Sequence, residues 1–213
     1  EVVTIGDELL LGFTLDTNGA HLARELAQYG VTVARRTSVG DGADEISSAV
    51  REALDRTGAV ITTGGLGPTS DDLTKPSIAA LFGRAMRLDE AIVESLRQRW
   101  KSRGWPGELP ESNKQQALIP EGAVILENRH GSAPGIWLED ERGRWVAMLP
   151  GVPREMRGML ADSLLPRIRE RVRGEPTVVV SRTIRTTGIS ESGLSDRIRN
   201  LKDLVATLDH SFA

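Results

Sequence analysis

Strand-like segments and amphipathic helical patterns alternate three times over the first 83 residues. The strand-like runs cover 2–5, 31–39 and 59–63. The clearest helical pattern follows the second run, because Ile46, Val50 and Leu54 recur along one helical face and Gly58 ends it. Strands that alternate with helices favour a parallel sheet with right-handed crossovers. The chain is therefore predicted to have an α/β fold.

The remaining residues predict further elements and a second domain. Helices are predicted over 16–29, 89–103 and 112–117, and a further helix from 153 should be kinked or restarted by Pro166. Strands are predicted over 124–126, 136–138 and 145–149. After Gly174 the pattern changes to a strand over 178–180 and 183–185 and a helix from Ser190 to Arg199. We expect one domain over 1–174 and the start of a truncated α+β domain over 175–213, which is too small to fold alone.

The composition excludes several classes of protein. The chain is 39% hydrophobic with a net charge of −3, so we expect no nucleic-acid partner. It has no cysteine, which removes disulfides, thiolate catalysis and cysteine-based zinc sites. No apolar run approaches the roughly 18 residues of a membrane span, and we expect a cytoplasmic protein without a membrane partner. The chain starts at Glu1, so the natural start is expected to be missing or processed.

The stretch over 62–74, which reads TTGGLGPTSDDLT, joins the third strand to the next helix. A buried strand, a glycine turn and a helix N-terminus together form an anion site, because free N–H groups and the helix dipole favour negative charge there. Gly64, Gly65 and Gly67 would let the backbone adopt positive φ and approach a ligand. The alternative is a tight connection with no ligand.

This loop carries acids where phosphate-binding loops carry a base. A P-loop would end in a lysine that contacts the terminal phosphates, whereas this sequence has Asp71 and Asp72. Carboxylates repel a phosphate unless a cation lies between them, so the pair suggests a Mg²⁺-like ion that also binds substrate oxygens. The alternative for both residues is ordinary helix capping.

Three strand-to-helix loops carry acids, and a parallel sheet should bring them together at one edge. These acids are Asp7, Glu8, Asp41, Asp44, Asp71 and Asp72. Their convergence predicts a metal and acid/base site. Glu8 lies among leucines, and burial there would raise its pKa and suit it to proton transfer. The alternative is that loop acids such as Glu8 and Asp44 are solvated.

Two later loops would also suit a diphosphate. The GSAPG run over 131–135 could present successive N–H groups, with the Ser132 hydroxyl as a further donor. Asn113 and Lys114 could supply the amide donors and the positive charge that the first loop lacks, although Lys114 could equally be solvated. His130 lies beside the GSAPG run and is more typical of a surface histidine. The four tryptophans are more typical of core and oligomer contacts than of base stacking.

These motifs resemble the CinA family (competence/damage-inducible protein A) in order and over most of the chain. The matching stretches are GDELLLG at 6–12, DTN at 16–18, TGGLGPT at 63–69, DDLT at 71–74, NKQ at 113–115, APG at 133–135 and LPGVP at 149–153. The loop over 64–74 also resembles the molybdopterin-binding loop of the MogA/MoaB/gephyrin fold, in which carboxylates like Asp41 and Asp72 are functional. Leu66 stands where those cofactor enzymes have threonine, which disfavours a molybdopterin-type transferase.

The resemblance implies a three-layer α/β/α fold with a mostly parallel sheet, as in MogA and MoaB, and a homodimer. It also implies hydrolysis of ADP-ribose to AMP and ribose 5-phosphate with a divalent metal (Mg²⁺, Mn²⁺ or Co²⁺). In many relatives a nicotinamide-nucleotide deamidase domain follows, and these residues do not include it.

Together these observations predict a metal-dependent hydrolase of a nucleotide diphosphate. The predicted catalytic residues are Glu8, Asp7 and Asp72, and the predicted metal ligands are Asp41, Asp72 and Asp71. The predicted substrate-binding residues are Gly64, Gly65, Gly67, Thr69, Asn18, Asn113, Lys114 and Ser132. The alternative is a module that binds a nucleotide or molybdopterin, or scaffolds a partner domain, without catalysis.

Overall fold

A computed structural model describes residues 1–172 and 185–199. The chain divides into two compact units, Glu1–Val179 and Val180–Ala213. In the second unit a helix covers 191–199, as the sequence predicts. The predicted boundary near Gly174 and most of the strand predicted over 178–185 lie outside the described residues.

The first unit consists of alternating strands and helices, and its later strands pair antiparallel. The strands are β1 Val2–Ile5, β2 Arg36–Val39, β3 Ala59–Thr63, β4 Met86–Leu88, β5 Leu118–Pro120, β6 Val124–Leu126, β7 Gly135–Glu139 and β8 Trp145–Leu149. The α-helices are α1 Asp7–Leu10, α2 Thr17–Gln28, α3 Ala43–Thr57, α4 Thr74–Leu81, α5 Glu90–Ser102, α6 Pro153–Met159 and α7 Leu165–Arg169. A 3₁₀ helix covers Glu111–Ala117, and a π-helical turn covers Leu160–Leu164 between α6 and α7.

Six strands form the central sheet in the order β2-β1-β3-β8-β7-β6. The first four strands in this order run parallel, β7 is antiparallel to β8, and β6 is antiparallel to β7. Successive residues of β1 point to opposite faces, so Val3 packs with Ile46 of α3 while Val2 packs with Leu22 of α2. Helices α3 and α4 cover the first face, and α2, α6 and α7 cover the second. The predicted three-layer α/β/α fold is confirmed.

Three details differ from the sequence prediction. The strand predicted over 31–39 begins only at Arg36, which pairs with Val2, the first residue of β1. Of the described residues over 31–35, only Arg35 is hydrogen-bonded to β1, through its carbonyl oxygen, which accepts from Val2 N over 3.0 Å. The antiparallel pair of β4 and β5 was not predicted, since each strand has only three residues, too few for a recognisable alternation, and the two lie 30 residues apart. The short helix α1 was not predicted either.

The last helical stretch is interrupted where the sequence predicts it. Pro166 has no N–H to donate, and the π-helical turn Leu160–Leu164 directly precedes the helix that contains it. In the described part of the chain, no helix is long and apolar enough to cross a lipid bilayer.

Replacing Leu22 by alanine tests the packing of α2 on the sheet. Leu22 is 0% exposed, so its loss should leave a cavity and lower the free energy of unfolding by about 2–5 kcal/mol. The control is Leu15→Ala, because Leu15 is 82% exposed, and its effect should stay within about 0.5 kcal/mol. Chemical denaturation measures both values, and equal losses would contradict the described packing.

Candidate functional site

A crevice of about 570 Å³ opens at the carboxyl ends of β1, β3 and β8. We call it the strand-end crevice. It is lined by the loops that leave these strands, together with parts of the loop over 131–134 and of α6. The predicted site residues that line it are Glu8, Asp41, Gly64, Gly65, Gly67, Thr69, Asp71, Asp72 and Ser132. The parallel sheet therefore brings the three acidic loops towards one place.

The first two glycines of the loop are required by the protein itself. Gly64 has φ +113°, and a Cβ there would lie 2.1 Å from the carbonyl oxygen of Ile5. Gly65 has φ +64°, and a Cβ there would lie 2.1 Å from Thr74 Oγ1, which donates to Gly64 O over 2.9 Å. The glycines thus allow β1, β3 and the start of α4 to approach one another.

Two N–H groups of the same turn are left without a protein acceptor. Among the described residues, no hydrogen bond is made by the N–H of Gly65 or of Leu66, whereas Gly64 N donates to Leu149 O over 3.1 Å. Both residues line the strand-end crevice. Unpaired N–H groups at such a turn are suited to bind an anion.

Asp72 orders the second half of the loop. Its Oδ1 accepts from Gly67 N over 2.7 Å, and its Oδ2 accepts from Thr69 N over 2.8 Å and from Thr69 Oγ1 over 2.5 Å. Its neighbour Asp71 is exposed, and among the described residues its carboxylate accepts only from Ser70 Oγ, over 3.1 Å. Asp72 therefore stabilises the fold of this loop. Its roles as metal ligand and catalytic residue stay predictions.

Asp7 and Asp41 join the ends of β1 and β2. Asp7 N donates to Asp41 Oδ2 over 3.0 Å, and Asp41 N donates to Asp7 Oδ1 over 3.1 Å. Burial raises the pKa of the Asp41 carboxyl above its usual value. The negative charges of Asp7, Glu8 and Asp72 raise this pKa further, and the hydrogen bond from Asp7 N opposes them. The acids are thus close enough to disfavour one another's charge.

Two of the predicted acids are placed differently from the expectation. Glu8 lines the strand-end crevice but is exposed, because the adjacent Leu10 and Leu11 are themselves 57% and 65% exposed and do not enclose it. The expected burial of Glu8 among leucines is wrong. Asp44 is exposed in the first turn of α3 and does not line the crevice.

The lining has an unbalanced negative charge. Five of the described residues that line the strand-end crevice are acidic. No described residue of this lining is Lys, Arg or His. The acids are Glu8, Asp41, Asp71, Asp72 and Glu155. Oxygen ligands of this kind fit a hard divalent cation. No group of three or more His, Cys, Asp or Glu among the described residues is arranged to hold a metal ion.

Lys75, which the sequence analysis did not single out, places a buried positive charge behind the loop. It is 3% exposed, and its Nζ donates to the carbonyl oxygens of Gln115 (2.6 Å) and Gln116 (3.1 Å). Burial lowers the pKa of Lys75 to about 8, and the charge of Asp72 partly opposes this shift. The one feature of the sequence that could have indicated a buried lysine is its position in a helix of mostly small and apolar residues.

Three predicted substrate-binding residues lie outside the strand-end crevice. Asn18 lines an adjoining crevice of about 280 Å³ and donates from Nδ2 to Thr63 Oγ1 (3.1 Å) and Gly151 O (2.7 Å). Lys114 pairs with Glu111 over 2.7 Å at a separate pocket on the outer side of the 3₁₀ helix. Asn113 also fails to line the crevice, whereas Gln116 of the same helix does line it.

Asp72→Asn tests the ordering of the loop. Asparagine offers one acceptor oxygen where aspartate uses two, so the N–H of Gly67 or of Thr69 must lose its partner. We expect faster hydrogen exchange at one or both of these amides. The control Asp71→Asn should leave their exchange unchanged. Equal exchange in both variants would contradict the assigned hydrogen bonds.

Lys75→Met tests the buried charge. Between about pH 8 and the ordinary value of 10.5, the folded state has released the Lys75 proton and the unfolded state still holds it. The free energy of unfolding contributed by this group therefore rises with pH across that interval. Denaturant unfolding at several pH values should show this rise in the parent and a smaller one in Lys75→Met. Parallel curves would contradict the assignment.

Comparisons with known proteins agree on the family. Residues 1–170 match the sequence family described as "Probable molybdopterin binding domain". A CinA-like protein from Gemmatimonas aurantiaca is 65% identical over 201 residues, which are 94% of this chain and 47% of the relative. A putative competence-damage inducible protein from Shouchella clausii is 42% identical over 97% of this chain and 48% of its own length. The chain spans about half the length of these relatives.

Solved structures give the same result. The crystal structure of CinA from Thermoplasma acidophilum, described as having unknown function, matches with a TM-score of 0.69 and 36% identity over 79% of this chain and 95% of that one. MoaB from Thermus thermophilus, a molybdopterin biosynthesis enzyme, shares the fold with a TM-score of 0.50 and 22% identity, over 82% of this chain and 96% of its own. The chain therefore belongs to the CinA family and carries its N-terminal domain of the MogA/MoaB type.

Proposed function

We propose that this domain hydrolyses the diphosphate bond of a nucleotide in a reaction that requires a divalent metal ion. The proposed substrate is ADP-ribose, and the products are AMP and ribose 5-phosphate. The observation that carries the proposal is the lining of the strand-end crevice, which combines five acids, no cationic side chain among its described residues, and two unpaired N–H groups. Donors of this kind suit a phosphate, and the acids would repel it without a cation.

The acids divide into different roles in this proposal. Asp41 is the preferred metal ligand, because it lines the crevice and because a bound cation would oppose the rise in its pKa. Burial causes this rise, together with the charges of Asp7, Glu8 and Asp72. Asp71 is exposed and available as a second ligand. Asp72 already accepts three hydrogen bonds and contributes through the order of the loop and the remaining lone pairs of its carboxylate. A bound divalent cation would neutralise phosphate charge and polarise the scissile bond.

The chain's own groups bind and orient the substrate. The N–H groups of Gly65 and Leu66 donate to phosphate oxygens, and the Ser132 hydroxyl on the facing loop is a further donor. Glu8 is exposed within the crevice, so its carboxylate can reach a water molecule and accept a proton from it as the water attacks phosphorus. Asp7 holds the backbone of Asp41 and thereby positions that carboxylate.

A second candidate function is the binding of a nucleotide or molybdopterin without catalysis. The description of the matching family and the structural use of Asp72 favour it. In this case the crevice would bind a phosphate-bearing ligand with its cation and release it unchanged. The two candidates differ in turnover and agree in binding.

Incubation with ADP-ribose and Mg²⁺, Mn²⁺ or Co²⁺ tests the catalytic proposal. AMP should be released, and Asp41→Asn should reduce kcat/KM by at least roughly tenfold, as expected when metal affinity is impaired. The matched control is Asp44→Asn, because Asp44 follows the same strand but is exposed outside the crevice. Tight binding of ADP-ribose without AMP release with any of the metals would favour the second candidate.

Thermal unfolding of Asp41→Asn tests the metal separately from turnover. The folded state holds the Asp41 proton to a higher pH than the unfolded state does, so the charged form destabilises the folded protein at neutral pH. Without metal, Asp41→Asn should therefore have a higher Tm than the parent at pH 7. Added Mg²⁺ should raise the parent Tm and change that of the variant less. A parent Tm that no divalent cation changes would contradict the metal site.

A further inference from the structure

A second crevice of about 520 Å³ adjoins the strand-end crevice, and nothing above assigns it a role. We call it the α5 crevice. One wall is a face of α5 formed by Ile92, Ser95, Leu96 and Arg99, which recur with helical spacing. The opposite wall is Ile125 of β6 and the loop over 127–134.

The two crevices share the loop over 131–134. Ser132 lines both of them, with Ala133 on the side of the strand-end crevice and Pro134 on the side of the α5 crevice. Asn128 fixes this loop, since its Nδ2 donates to Ala133 O (2.8 Å) and Glu155 Oε2 (2.6 Å) while its Oδ1 accepts from His130 N (3.0 Å). A ligand that passes Ser132 would therefore occupy both crevices against one fixed wall.

Among the described residues, the α5 crevice is lined by charges of both signs, Asp89, Glu127, Arg99 and Arg129, whereas every charged residue of the strand-end crevice is acidic. Arg129 pairs with Glu127 over 3.0 Å, and Asp89 accepts from the N–H groups of Ala91 and Ile92 at the start of α5. The guanidinium of Arg99 forms no ion pair or hydrogen bond with any described residue. Arg99 is therefore an uncompensated cation beside the shared loop.

We infer that the α5 crevice holds the nucleoside monophosphate half of the substrate, with Arg99 bound to its phosphate. The inference rests on the proposed function in taking a nucleotide diphosphate as the ligand. One phosphate lies among the acids and the cation of the strand-end crevice, and the other lies beyond Ser132 where a guanidinium can bind it directly. Ile92, Leu96 and Ile125 provide apolar walls for the base. These apolar walls would distinguish a nucleotide from inorganic pyrophosphate, which has no base.

Calorimetric titration of AMP into the full chain in the presence of EDTA tests this inference without metal or turnover. The parent should bind AMP, and Arg99→Ala should raise Kd by roughly tenfold or more, the effect of losing one charge-assisted hydrogen bond. The matched control is Arg97→Ala, because Arg97 lies on the same helix but pairs with Glu94 and lines a different pocket. It should leave Kd unchanged.

A second pair of variants tests the apolar wall. Ile125 and Val124 are neighbours on β6 and are each 41% exposed, but only Ile125 lines the α5 crevice. Ile125→Asp should weaken AMP binding, and Val124→Asp should not. In hydrolysis of ADP-ribose, Arg99→Ala should lower kcat/KM, because the lost guanidinium bound a phosphate next to the scissile bond.

The outcomes separate this inference from the proposed function. The inference is overturned if the parent does not bind AMP, or if Arg99→Ala binds AMP as tightly as the parent does. This holds even if ADP-ribose is hydrolysed. Binding of AMP that depends on Arg99 supports the inference even if no metal promotes hydrolysis, and in that case only the proposed catalysis falls.

Discussion

The approach of β3 to the end of β1 determines the geometry of the whole site. Gly64 lies against the carbonyl of Ile5 at a distance that no side chain would permit, and its own N–H continues the pairing with Leu149 of β8. Three parallel strands therefore end at the same level, and their loops meet above them.

The charges that line the strand-end crevice determine which ligands it can bind. Burial, and then the acids of two other loops, raise the pKa of Asp41, and the buried cation Lys75 is held by two carbonyls behind the loop instead of facing the crevice. A site with these charges has little affinity for a bare phosphate and a much greater one for a phosphate that carries a cation. The neighbouring crevice contributes Arg99, whose guanidinium forms no ion pair or hydrogen bond with a described residue. The two together favour a ligand with two chemically different halves.

The sequence predicts those parts of the fold whose cause is local. β3 and α3 follow from hydrophobic runs and from Gly58: the bounds of β3 and the end of α3 before Gly58 agree with the prediction. β2 is shorter than predicted because its length depends on the partner strand. The same distinction holds in the site. The glycine loop and its acids could be recognised from their neighbours in the chain, whereas Lys75, Gln116 and the outward position of Lys114 depend on how the 3₁₀ helix packs against α4.

The three hydrogen bonds of Asp72 have a consequence for any ion that enters the crevice. The carboxylate that would attract the ion is also the one that keeps the segment from Gly67 to Thr69 folded. Occupancy by the ion and rigidity of the segment are then thermodynamically linked, so each changes the other by the same free energy. Binding of an ion at Asp72 would therefore change the local stability of the segment from Gly67 to Thr69.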